Sequence, residues 1–149
     1  MKLSNLTIDM LQLIALADKV CSNFFVEKYL NEDKRVDLKH FISVLNSYSN
    51  KLEQILNNRD YLICSGKLDS SLQDVSCTKD RAYKALNGLN TVINNCSDDN
   101  KKQILINARN HFYEVVNAYL LAVRIMIKEQ FTDIDENILY KRYDLYDIQ

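Results

Sequence analysis

The chain has 149 residues, a formal charge of −1, no proline and two glycines. A chain of this length can bury roughly two thirds of the surface that its unfolded form exposes, so one domain over residues 1–149 needs neither metal nor disulfides. The shortage of glycine and proline excludes turn-rich β folds and favours an all-α class, while the near-neutral charge lacks the basic patch that nucleic acid or an acidic membrane surface requires. We therefore predict neither nucleic acid nor membrane as a partner.

The first helix is predicted over residues 4–30, because apolar residues recur there at steps of three and four. This row comprises Leu3, Leu6, Met10, Leu13, Ala17, Val20 and Phe24. The polar run over residues 31–35 indicates a short loop before the next helix.

The second helix is predicted over residues 37–64, with the side chain of Asp37 as its N-cap. Two C-terminal ends fit the sequence, either Asn57-Asn58 or Gly66, because asparagine and glycine both accept the left-handed backbone of a helix end. We favour the later end, since Leu62 continues the apolar row seven residues beyond Ile55.

The third helix is predicted over residues 67–95 and carries two unusual residues. Lys79 stands where the row requires an apolar residue, which suggests that its charged end reaches solvent at the edge of the bundle. Gly88 lies inside the helix at a cost of roughly 1 kcal/mol relative to alanine, so either two helices approach closely there or the helix bends.

The fourth helix is predicted over residues 98–130, beginning at the capping sequence Ser97-Asp98-Asp99. Its apolar face is wide enough for two or three neighbours. A membrane-spanning helix needs roughly 20 mainly apolar residues, and here Arg109, Glu114 and Arg124 interrupt the run. We predict a buried core helix, and an apolar surplus over residues 112–126 would form a dimer interface or a groove for a partner helix.

A short fifth helix or tail is predicted over residues 133–145, since Thr132 and Asp135 have the spacing of a capping box. Four long helices of similar length with short connections favour an up-down-up-down four-helix bundle in which consecutive helices are antiparallel neighbours. The alternation of three and four is the period that such packing requires.

The residues that usually hold metals or cofactors are scarce. The chain has two histidines, no Glu-x-x-His motif and no CxxC pair, so we predict no metal site and no cofactor. The thiols of Cys21, Cys64, Cys77 and Cys96 are expected to be reduced, since no secretory signal is recognised. These features predict a cytoplasmic protein.

His111 lies on the apolar row of the fourth helix, with Arg109 two residues before it. Some helical ribonucleases pair an arginine with a histidine, but residues two apart on a helix point about 200° apart. A catalytic pair would therefore need a dimer to supply the arginine. The alternative is a structural histidine that is hydrogen-bonded within or near the core.

The last ten residues contain Tyr140, Tyr143 and Tyr146, with Lys141 and Arg142 between them. Tyrosine and arginine are enriched in binding hot spots, so these residues form a candidate partner-binding segment. The alternative is that the segment packs back on the bundle. Arg124, on the narrow polar line of the fourth helix, is a candidate ligand for an anion or a partner carboxylate, or it simply marks the solvent edge.

No constellation of catalytic residues is found, so we predict a non-enzymatic interaction module, such as a regulator, inhibitor, adaptor or chaperone. Its protein partner would bind an apolar groove or the tyrosine-rich C-terminal residues. A homo-oligomeric structural protein, such as a homodimer, is the first alternative. A helical nuclease that uses His111, with Arg109 supplied across a dimer, is the second.

Overall fold

A computed structural model describes residues 2–30, 35–58, 63 and 67–149. Every element in this part of the chain is helical, which confirms the predicted all-α class. The helices are α1 (Leu3–Leu30), α2 (Arg35–Asn58), α3 (Leu68–Asn95), α4 (Asp99–Gln130) and α5 (Glu136–Tyr143). No helix among the described residues combines the length and the apolar character that a membrane crossing needs.

The ends of α2 differ from those predicted. Asp37 lies inside the first turn rather than at the cap, and its carboxylate accepts a hydrogen bond from Asn23 of α1. The described part of the helix reaches Asn58, and Ile63 is not helical, so the helix does not extend to residue 64 as predicted. The apolar row alone was therefore misleading. Residues 62, 64 and 66, on which the later end depended, lie outside the described part.

The helix α5 is shorter than predicted at both ends. Its N-cap is Asp135 rather than Thr132, with the Asp135 carboxylate accepting from the amide of Asn137 at 3.1 Å. It ends at Tyr143, and its C-cap residue Asp144 has a left-handed backbone with φ 52° and ψ 53°. The capping sequence predicted for α4 lies at its start, but the cap is Asp98 rather than Ser97, and it accepts from the amides of Asn100 and Lys101 at 3.0 and 3.2 Å.

The long helices pack as two hairpins. In the first, contacts of Asp9 with Lys51 and of Asn23 with Asp37 make α1 and α2 antiparallel. In the second, Arg109 of α4 donates to Asn90 of α3 at 2.9 Å. Tyr119, further along α4, interacts with Thr78, which lies earlier in α3, so this pair is antiparallel too.

The two hairpins are joined through contacts of α1 with α3 and of α2 with α4. Among the described residues α2 and α3 do not contact each other, so these two consecutive helices stand diagonally across the core rather than side by side as expected. The nine residues 59–67 between them suffice for this, because nine residues reach up to about 30 Å. The diagonal of a bundle with axes 8–10 Å apart is only about 13 Å.

The core is apolar with a few satisfied polar groups. Phe41 of α2 meets Phe112 of α4 edge to face, with ring centroids 5.8 Å apart. At Gly88 the helices approach closely, since a Cβ there would lie 3.3 Å from Cys21 Sγ. The close approach therefore accounts for a glycine inside α3.

The predicted apolar surplus of α4 is largely absent. Within residues 112–126, Leu121 is the exposed large hydrophobic residue, and most of the others are buried against neighbouring elements. The additional cover comes from α5 and the residues after it, which the prediction counted as a fifth element but not as a neighbour of this face.

Candidate partner-binding site

The predicted partner-binding residues gather where the last residues of the chain return to the bundle. Because Asp144 is left-handed, the chain leaves α5 there and residues 144–149, which we call the C-terminal segment, run back between α3 and α4. The side chains of Leu145 and Ile148 are buried. The alternative in which this part of the chain packs on the bundle is therefore the one observed.

Lys79 of α3 holds the start of the C-terminal segment. Its Nζ donates to the carbonyl oxygens of Asp144 and Tyr146 at 2.9 and 2.5 Å and lies 3.2 Å from the Asp144 carboxylate. The residue is only 9% exposed. The expectation that Lys79 reaches solvent at the bundle edge is thus wrong, because the C-terminal segment covers it and supplies its acceptors.

Arg124 of α4 holds the middle of the same segment. Its Nη1 donates to the carbonyl of Leu145 at 2.8 Å, and its Nη2 lies 2.9 Å from the Asp147 carboxylate. The carbonyl of Arg124 also accepts from the hydroxyl of Tyr140 at 3.0 Å. Arg124 therefore binds a carboxylate, as the sequence suggested, but this carboxylate belongs to its own chain.

Asn117 and Tyr113 of α4 hold the end of the segment. The Asn117 amide accepts from the Ile148 N–H at 2.8 Å and donates to the Ile148 carbonyl at 3.3 Å. The Tyr113 hydroxyl donates to the same carbonyl. Sequence reasoning missed Lys79, Tyr113 and Asn117 as contacts of this segment. Asn117 lies seven residues before Arg124 on one polar line, which was the available signal.

The three tyrosines of the predicted site have different surroundings. Tyr143 is buried, and its hydroxyl donates to the Asp69 carboxylate at 2.7 Å, which raises the pKa of Tyr143. The rings of Tyr140 and Tyr146 meet edge to face with centroids 6.4 Å apart. Burial raises the pKa of Tyr140, whereas Tyr146 is exposed. Of the three, Tyr146 is the most exposed.

Arg142 instead lines an open cleft between the start of α3 and α5, with a volume of about 660 Å³. We call it the α3–α5 cleft. Its lining consists of Lys67, Leu68, Asp69, Ser70, Ile134, Asp135, Ile138, Leu139 and Arg142. Ile134 and Ile138 are both exposed large hydrophobic residues.

The charges of the α3–α5 cleft are unevenly paired. Asp69 already accepts from Tyr143, and Asp135 accepts from the α5 backbone, so both carboxylates are engaged within the chain. Lys67 and Arg142 form no ion pair with a carboxylate of the residues that the structure describes. The cleft thus offers apolar surface beside two cations, of which Arg142 also forms a hydrogen bond with the Tyr143 hydroxyl.

The residues of the nuclease hypothesis do not meet. Arg109 donates to the side-chain oxygens of Asn90 and Asn110 in a separate polar cleft of about 400 Å³, whereas His111 lies outside that cleft's lining. His111 Nδ1 is 3.7 Å from the Glu114 carboxylate on its own helix. The geometry within one chain therefore offers no arginine–histidine pair.

The thiols of Cys21, Cys77 and Cys96 are free, and Cys64 lies outside the described residues. Burial, with a further contribution from the nearby Asp18, raises the pKa of Cys21 to about 11, so this thiol is neutral at physiological pH. The described part of the chain contains no group of three or more histidine, cysteine or acidic residues placed to hold a metal ion.

Comparison with known proteins assigns this arrangement to no family: no family model, no curated protein and no solved structure matches the sequence. The geometry described above is therefore the basis on which a function is proposed.

Proposed function

We propose that this protein is a non-enzymatic interaction module that binds a protein partner in the α3–α5 cleft. The observation that carries the proposal is the pair of exposed isoleucines, Ile134 and Ile138, beside the cations Lys67 and Arg142. Complete burial of an isoleucine side chain contributes roughly 1.5–3 kcal/mol. Since Ile138 is 56% exposed, its burial against a partner would contribute about half of that.

The partner segment that fits best is an amphipathic helix with an acidic residue at one end of its apolar stripe. Ile134 precedes α5 and Ile138 lies in its first turn, so the cleft presents two apolar side chains for the apolar stripe of a partner helix to cover. A carboxylate on the partner would pair with Arg142, which can bind it in a two-pronged manner.

The five residues suggested by the sequence take unequal parts in this proposal. Arg142 contacts the partner, and Tyr143 supports the cleft from below by holding Asp69. Tyr140, Tyr146 and Arg124 act on the C-terminal segment instead. A Tyr143→Ser exchange would therefore disturb the fold as well as binding, so it is a poor test of the docking site.

A sharper experiment places a photo-crosslinking amino acid at Ser70, which is exposed at the cleft, in the full chain in its native cells. Ile138→Asp should reduce crosslinking to the partner at least about tenfold, because it places a charge among apolar groups and opposes the partner's carboxylate. The matched control is Ile104→Asp, at an isoleucine of similar exposure (45%) near the start of α4. Equal crosslinking in both variants would refute the docking site.

The same experiment separates the alternative of a self-assembling homo-oligomer. Crosslinks only to further copies of the chain, with light scattering that reports a dimer or larger species, would favour assembly over binding to a different protein. A crosslinked partner whose contact peptide lacks a helical apolar stripe would count against the proposed occupant.

The proposal includes the cytoplasm as the location, because it assigns the thiols of Cys21, Cys77 and Cys96 to a reducing compartment. Alkylation of freshly lysed native cells, followed by mass spectrometry, should find these thiols unoxidised. Disulfide-linked Cys77 in the native protein would contradict this location.

We also propose an up-down-up-down path for the four long helices, with a diagonal step from α2 to α3. The antiparallel contacts within each hairpin and the close approach of Cys21 to Gly88 support it. Gly88→Cys should form a disulfide with Cys21 on mild oxidation, since the two positions are adjacent. A bundle in which α1 packs beside α4 instead of α3 would leave both thiols free.

A further inference from the structure

The C-terminal segment contacts the bundle mainly through its backbone. The bonded groups are the carbonyls of Asp144, Leu145 and Tyr146 and both the N–H and the carbonyl of Ile148. We call the surface that binds them, formed by Lys79, Tyr113, Asn117 and Arg124, the tail groove. Recognition of successive backbone groups with pockets for spaced side chains is one way in which proteins bind peptide segments.

The bonds of Asn117 show this most directly. A side-chain amide that pairs with both the N–H and the carbonyl of one residue holds an extended backbone and is indifferent to that residue's side chain. A segment that packed only to bury apolar surface would not require such a pairing.

The side chains of the segment add selectivity to these backbone contacts. Leu145 and Ile148, three residues apart, are buried in the groove. Asp144 lies beside Lys79 at 3.2 Å, and Asp147 lies beside Arg124 at 2.9 Å. The groove therefore fits a segment that turns at the position of Asp144 and bends at that of Tyr146, with two apolar side chains three apart and a carboxylate directly before each of them.

From this geometry we propose that the tail groove is a binding site for an acidic segment of a partner protein, which follows the same bent path and takes the place of the C-terminal segment. The partner must carry the same chemistry, because a segment without carboxylates would shield the cations of Lys79 and Arg124 from water without pairing them. This site is separate from the α3–α5 cleft, so either proposal can fail without the other.

The C-terminal segment can leave as a unit. It is joined to α5 through Asp144, the one described non-glycine residue with a positive φ, and no secondary structure continues beyond that point. A tethered segment competes at an effective concentration in the millimolar range. A partner segment therefore binds the wild-type chain far more weakly than it binds a chain whose own segment is displaced.

The test uses the full chain and a fluorescent synthetic peptide with the sequence of residues 144–149, DLYDIQ. A variant that combines Leu145→Asp with Ile148→Asp cannot seat its own segment and should bind the peptide at least about tenfold more tightly than the wild type does. Adding Arg124→Met or Asn117→Ala should weaken that binding about tenfold or more. Lys128→Met, at an exposed cation one turn along α4, is the matched control and should leave it unchanged.

Three results would overturn the proposal. In the first, the double variant, whose own segment is released, remains helical but binds no peptide. In the second, a peptide with lysine in place of both aspartates binds equally well. In the third, the wild-type chain forms dimers that the peptide dissociates. The last would make the occupant the segment of a second copy. If the released variant loses its helicity, hydrogen exchange of the wild-type Ile148 amide decides instead, since that amide is bonded to Asn117. Peptide at a concentration of several millimolar, above the effective concentration of roughly 1 mM, should accelerate exchange of the Ile148 amide. Unchanged exchange would refute the proposal.

Discussion

The hydroxyl groups of Tyr119 in α4 and Thr7 in α1 meet 2.8 Å apart in the interior of the bundle. Tyr119 has no exposed surface, and Thr7 is nearly as buried. Thr78 of α3 also interacts with Tyr119, so three helices share one small polar cluster within an apolar core. Because a buried hydroxyl without a partner costs roughly 1–3 kcal/mol, this cluster favours one register of the helices over others.

Tyr119→Phe should lower the free energy of unfolding by about 1–2 kcal/mol, because it retains the ring but leaves the Thr7 hydroxyl without its partner. Urea denaturation followed by circular dichroism measures the change. Tyr83→Phe, at an exposed tyrosine of α3, is the matched control and should change stability by less than about 0.5 kcal/mol. Equal stability of the two variants would show that the Tyr119 hydroxyl contributes nothing.

Stability should fall in alkaline solution. Burial raises the pKa of both Tyr48 and Tyr119 above the ordinary value for tyrosine. The unfolded chain therefore loses these protons near pH 10 while the folded chain keeps them, so their contribution is complete below about pH 10 and declines as the pH rises further. Each tyrosine should contribute a slope of about 1.4 kcal/mol per pH unit, and Tyr119→Phe should reduce that slope. A stability profile that is flat between about pH 9 and about pH 11 would contradict this prediction.

The close contact of α1 with α3 should appear as coupling between Cys21 and Gly88. Alanine at position 88 would gain roughly 1 kcal/mol of helix propensity, but its Cβ would press against Cys21 Sγ at 3.3 Å. Gly88→Ala alone should therefore change the free energy of unfolding by less than about 1 kcal/mol. In a Cys21→Ala background it should be more stabilising by about 0.5–1 kcal/mol. Additive effects in this double-mutant cycle would place the two helices further apart.

Lys79→Met should loosen the C-terminal segment more than the bundle. The substitution keeps the apolar stem but removes a cation bonded to two carbonyls and one carboxylate. Bonds to charged groups contribute about 1.5–3 kcal/mol, so trimming of the C-terminal residues by carboxypeptidase should accelerate by about tenfold or more. Lys84→Met, at an exposed position of α3, should leave the trimming rate unchanged. Equal rates in both variants would contradict the role of Lys79.

Much of the helical framework follows from the pattern of apolar residues. The ends of α1, α3 and α4 fall within about two residues of those predicted, as is usual for long periodic segments. The end of α2 was misjudged because Leu62 extends the apolar row, whereas Ile63 is not helical. The start of α5 was misjudged because Thr132 and Asp135 are both acceptable caps.

The arrangement of the helices and the binding site depends on contacts that a periodic pattern does not contain. The pattern shows which face of a helix is apolar but not which helix covers it, so the diagonal placement of α2 and α3 was not predicted. Arg124 was a candidate ligand for an anion or a partner carboxylate, with a place at the solvent edge as the alternative, and the carboxylate that it binds, Asp147, lies in a segment without periodicity. Lys79 interrupts an apolar row, and residues 144–149 contain two aspartates that could pair with such a cation. These two features together were the remaining signal for the groove.

The pairing of the helices also affects how the chain folds during synthesis. Proteins emerge from the ribosome N-terminal end first, so the hairpin of α1 and α2 is complete before α3 and α4 are made. Until then the faces that later contact α3 and α4, which include Cys21 and Phe41, remain exposed to water. The nascent chain is therefore most vulnerable to aggregation, and most in need of a chaperone, while residues 67–130 are being translated.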